Sequence, residues 1–201
     1  MTTETAMPGR DLAALNAEFL GLVAAGVPVE LPARAARRLS GLDVEVHQRL
    51  GALPFALFGY GFEDEPGWAR LLSPGVRDLE PPYARGDAGV ERFTLLALTT
   101  LRGFARIAPR SASAWSGLPV ATRARLAELD IGLLPPVAAL AAPRLRGHLA
   151  LRECGWLQLL DAAEREDERQ LELFAALGKQ WTIRRALGIG GPVQARRAFG
   201  R

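Results

Sequence analysis

His47 and His148 are the only histidines in the chain, and Cys154 is its only cysteine. A Cys–His nucleophile pair needs the two side chains within hydrogen-bond reach. His148 and Cys154 stand about 600° apart around a helix, so they do not share a face. Two histidines and one cysteine also fall short of the three or four ligands, well spaced, that hold zinc. The Glu-x-x-His pattern of di-iron bundles is absent, and no serine stands in the turn of a nucleophile elbow. Three adjacent carboxylates, Glu63, Asp64 and Glu65, are the right groups for acid–base work or for Mg²⁺. They directly precede Pro66, where acidic residues open a helix, and capping is the preferred reading. Gly188-Ile189-Gly190-Gly191-Pro192 is glycine-rich, but no strand precedes it, and it fits neither the dinucleotide nor the P-loop spacing. No catalytic residue, metal ligand or cofactor is assigned on these grounds.

Two other groups of residues have chemistry suited to binding. Beyond Leu173 there is no acidic residue, while Lys179, Arg184, Arg185, Arg196, Arg197 and Arg201 carry positive charge. Trp181, Ile183, Leu187 and Phe199 interleave with them. Basic residues mixed with aromatic ones suit an arm that contacts phosphates or docks a partner. Lys179, Trp181, Arg184, Arg185, Arg196 and Arg197 are therefore candidate nucleic-acid or partner contacts; the bland alternative is a tail that folds back on the body. The second group is the aromatic run Pro54 to Phe62. Phe55, Phe58, Tyr60 and Phe62, with Trp68 beyond, are either core filler or the anchors of a protein interface.

The elements that must position these residues are helices. Hydrophobic residues make up 49% of the 201-residue chain and charged ones 23%, a balance that excludes a disordered chain. The net charge of +3 is lower than a protein coating nucleic acid usually carries. A single cysteine permits no internal disulfide, which suits a reducing compartment. The start, MTTETAMPGRDL, lacks the basic and apolar regions of a signal peptide. The apolar stretch from Ile131 to Ala142 is too short and too broken by proline to cross a bilayer. The expected location is the cytoplasm, with no membrane contact.

After a loose terminus over 1–10, helical periodicity predicts a first helix over 11–25, capped by Asp11. Helices opened by Pro32 and by Asp43 follow, then the ambiguous aromatic run, then a short helix holding Trp68. Residues 73–89 are rich in proline and glycine and read as a linker. The helix over 90–108 is apolar around most of its surface and should be the most buried element. Residues 109–117 read as a serine-rich connection. From His148 one long helix is expected to run to Leu177 or beyond, with a solvated face over 161–169 where Glu164, Arg165, Glu168 and Arg169 pair one turn apart. Cys154 reads as a small buried hydrophobe.

The chain also resembles itself. LPARAARRLSGLDVEVHQRLGAL from Leu31 and LPVATRARLAELDIGLLPPVAAL from Leu118 align without gaps. Leu31, Pro32, Leu39, Leu42, Asp43 and Leu53 match Leu118, Pro119, Leu126, Leu129, Asp130 and Leu140. One residue of slippage later, Trp68, Leu71 and Leu72 match Trp156, Leu159 and Leu160. The expected fold is all-α: unit 1 over 11–72, linker 73–89, unit 2 over 90–160, and a C-terminal helix with an arginine-rich tail over 161–201. Neither unit is large enough to bury its apolar face well alone, so the two should pack together about a pseudo-two-fold axis.

Within residues 12–72, the segment Leu15-Asn16-Ala17-Glu18-Phe19-Leu20, the leucines of LSGLDVEVHQRLGAL and the run FGYGFEDEPGW resemble the FlhD subunit of the bacterial flagellar transcriptional activator. That resemblance implies a small helical protein that oligomerises and acts on DNA together with a partner subunit. This chain is longer, and none of its residues matches a DNA-contacting position by motif. The first expectation is a non-enzymatic helical regulator or adaptor acting through protein contacts or self-association, in bacterial transcriptional or motility control. A nucleic-acid-binding regulator using the basic arm is the second, and an enzyme with an unrecognised site the third.

Overall fold

The computed structural model describes residues 7–78, 87–148 and 151–189, and it is all-α. The first half contains α1 (Met7–Ala24), α2 (Ala33–Leu39), α3 (Val44–Gly51), a two-residue strand β1 (Phe58–Gly59) and α4 (Glu65–Leu71). A 3-10 turn over Pro74–Asp78 occupies the start of the expected linker, and 79–86 lie outside the described residues. The second half contains α5 (Ala88–Ile107), α6 (Pro109–Ser116), α7 (Val120–Glu128), α8 (Leu134–Ala141), β2 (Arg146–Gly147), α9 (Glu153–Glu164) and α10 (Glu168–Ala186).

Several expected boundaries shift for local reasons. The first helix starts at Met7, so Asp11 lies inside it rather than at its cap. Asp43 holds the N-cap position of α3, but its side chain makes no capping bond. The stretch 109–117 is a helix after all: Pro109 pre-sets its first turn, and Gly117 at φ 70° ends it. The single long C-terminal helix is two. α9 closes with Glu166 at φ 57° and a bond from the Asp167 N–H to the Ala162 carbonyl, the geometry usually given to glycine. Asp167 then opens α10 by accepting from the Gln170 N–H at 3.0 Å.

Each half contains a long helix, a helix pair, a two-residue strand and a tryptophan helix, but α6 stands between the long helix and the pair in the second half only. α1 packs on α3, and α5 packs on α8. The tryptophan helices cross over, with α4 against α7 and α8, and α9 against α2 and α3. Trp68 and Trp156 are both fully buried. β1 and β2 pair antiparallel, Phe58 opposite Gly147 and Gly59 opposite Arg146, so the two halves meet edge to edge.

One polar side chain organises the core. Asn16 is fully buried on α1. Its amide NH₂ faces the carbonyls of Gly51 and Leu53 at 3.3 Å and of Phe55 at 3.0 Å, while its oxygen accepts from the Leu57 N–H at 2.9 Å. An extended segment has no helical ladder of its own, so its backbone groups must find partners elsewhere. Asn16 supplies several of them, and the Ala56 N–H donates to Trp115 O at 2.9 Å. The aromatic run is thereby drawn inside. Phe55, Phe58, Tyr60, Phe62 and Trp68 are all buried, and Phe58, Tyr60, Phe62 and Trp68 stack edge-to-face or tilted on one another. They are core within this chain, the first of the two readings their sequence left open.

α5 also departs from expectation. Phe93, Ala97, Leu98 and Leu101 are buried, but Leu96 is 45% and Ile107 78% exposed, so its outer side stays open. Among the described residues no single helix is long and apolar enough to cross a membrane.

Candidate functional site: the C-terminal helix and its anchor

α10 lies on α6 and α9. Phe174, Gly178, Thr182 and Ala186 recur every four residues and form its buried side. Gly178 sits where any Cβ would overlap the Phe55 ring, so the helix backbone rests directly on that ring. The Thr182 hydroxyl reaches the Ala114 carbonyl of α6. Arg185 pairs with Glu63, which also pairs with Arg146 of β2.

Two of the three carboxylates therefore join elements. Glu63 ties the loop before α4 to β2 and α10. Burial alone would push its carboxyl up, but its own backbone hydrogen bond, Arg185 and Arg146 together hold it below the ordinary range. Asp64 caps α4 by accepting from the Gly67 N–H at 3.1 Å, and it takes Arg144 at 2.8 Å. The Arg144 bond and the Gly67 N–H lower its carboxyl as well. Glu65 begins α4. Among the described residues no three His, Cys, Asp or Glu side chains are grouped to hold a metal ion.

The charged stretch after Asp161 behaves differently from a self-paired solvated face. Arg38 of α2 bonds Glu164 and Asp161 at 2.5 Å each, and Arg49 of α3 bonds Glu166 and the Ala163 carbonyl. The Glu164 hydrogen bond leads in raising the Arg38 guanidinium further above its usual value. These acids clamp the end of α9 to the first half, because α9 ends where α2 and α3 present their arginines.

His148 is buried between the Phe55 ring, at 5.5 Å edge-to-face, and Trp181, at 6.5 Å. Burial first, and the nearby Arg185 charge second, push it down to about 3, so it is a neutral ring at physiological pH. His47 meets the Leu39 carbonyl at 3.2 Å. Cys154 is exposed, contrary to expectation. Trp156 fixes which side of α9 faces in, and a residue two positions earlier points roughly the opposite way.

Of the six basic-arm candidates, Lys179 is exposed, while Trp181, Arg184 and Arg185 are half-buried. Arg185 is held in a clamp by its pairing with Glu63. Arg196 and Arg197 lie outside the described residues. The feature that charge and aromaticity did not announce is apolar. Leu173, Ile183 and Leu187 on the outer side of α10 are 58%, 44% and 61% exposed. With Ala176 and Gln180 they fall at alternating spacings of three and four, the seam of a helix that packs on another helix. No protein-family model matches the chain, and no curated protein or solved structure matches it either.

Proposed function

We propose that this chain is a non-enzymatic helical adaptor that docks a protein partner along the outer side of α10. The observation that carries the reading is the exposed row of Leu173, Ile183 and Leu187 on a helix whose opposite side is fastened by Gly178, Thr182 and Arg185. A fastened helix presents such a row without having to be ordered on binding, which lowers the cost of association. The FlhD-like segment over 12–72 supports a regulatory setting, bacterial transcription or motility control. We also read the two halves as copies of one unit; the elements common to both halves and the crossed tryptophan helices support this.

Affinity purification from the native host tests the adaptor reading. The Leu173→Glu/Ile183→Glu variant should keep the far-UV circular dichroism of the wild type yet lose a protein that the wild type captures. Equal capture by both would overturn it. Captured nucleic acid that is released steeply by salt and lost in Lys179→Glu would select the nucleic-acid reading instead.

A further inference from the structure

We propose that the outer side of α1 and α5 is the contact between two copies of this chain, independently of the α10 reading. α1 and α5 lie against each other, with the Phe19 and Phe93 rings 6.1 Å apart in the core beneath them. Outside that contact runs a groove of about 320 Å³. Leu22 and Phe93 form its floor, Glu18 and Arg92 stand on its two walls, and Leu96 projects at its rim.

Three observations say what covers it. First, the open side of α5 carries Leu96 and Ile107 beside Arg92 and Thr99, so large apolar side chains stand in solvent next to the groove. Second, Gly21 of α1 and Gly103 of α5 sit inside helices with nothing within 4 Å of where a Cβ would be. Neither has a positive φ, so neither needs glycine for its conformation. Each destabilises its helix by about 1 kcal/mol relative to alanine. Nothing among the described residues explains them, whereas a neighbouring helix approaching closely does.

Third, the face is complementary to itself. Among the described residues Glu18 and Arg92 have no ion-pair partner, and they carry opposite charges on opposite walls. A two-fold axis through the groove brings Glu18 of each copy to Arg92 of the other, two reciprocal pairs from one contact. Helices of 18 and 20 residues, side by side, offer roughly 500 Å² per copy, near the lower limit for a specific pair. The contact is therefore a reversible dimer.

Sedimentation equilibrium on the full chain from micromolar to submillimolar concentration tests this. The wild type should associate to a dimer. Gly103→Leu meets none of the described residues of its own chain, so it should leave circular dichroism unchanged and abolish the dimer, as should Leu96→Glu. Glu18→Arg and Arg92→Glu should each weaken the dimer by about fivefold, and the double exchange should restore it. A wild-type monomer throughout the range overturns the proposal. So does a dimer that Gly103→Leu leaves intact, including one that only Leu173→Glu/Ile183→Glu disrupts.

Discussion

Asn16 is a single side chain on which a whole segment depends. Asn16→Ala leaves the Leu57 N–H and the carbonyls of Gly51, Leu53 and Phe55 without their side-chain partner inside the core. Buried groups left unsatisfied are costly, so urea unfolding should show a loss of about 3 kcal/mol, with Asn16→Asp no rescue because it cannot donate. His148 sets a pH dependence. Its folded pKa, about 3, lies below the ordinary 6.5, so the unfolded chain takes up the proton first. The stability from the neutral ring is complete above about pH 6.5 and is lost as pH falls toward 3, at up to about 1.4 kcal/mol per pH unit. The lowered Glu63 and Asp64 carboxyls act in the same direction at lower pH. His148→Leu should therefore flatten the urea midpoint between pH 6.5 and 5, where the carboxylates still hold their charge.

At the scale of elements, α10 depends on a glycine. Gly178→Leu drives a side chain into the Phe55 ring and must lift the helix off its seat. Overpacking of this kind costs about 2 kcal/mol. Hydrogen exchange should show α10 losing protection while α1 and α5 keep theirs; uniform loss across the chain would contradict a separately seated helix. Periodicity in the sequence located α3 and α5, because each has one clear inward stripe, while the stretch holding α7 stood out only by its match to the segment from Leu31. Periodicity ran α9 and α10 together, because apolar spacing continues across the break and Glu166 holds a left-handed conformation without being glycine. Asp167, a good cap, was the one available signal. The aromatic run was ambiguous because its pairing partners, Asn16 and Gly147, are distant in sequence. Arg185 looked like an available contact because nothing local reveals that Glu63 meets it.

At the scale of the molecule, the crossed tryptophan helices join the halves. α4 completes the second half's core, and α9 completes the first half's. Neither half holds a finished core of its own, so urea unfolding followed by tryptophan fluorescence and by circular dichroism should give one coincident transition. Two separated transitions would contradict the shared core. The docking role proposed for the row on α10 relies on the same rigidity. The most direct measurement of that role is photo-crosslinking in the native host, with a photoreactive amino acid at Ile183 and, as control, at exposed Arg125 on α7. A protein adduct of discrete mass that forms from position 183 and not from 125 is the predicted result. An adduct to nucleic acid, or no adduct from 183, would contradict the account.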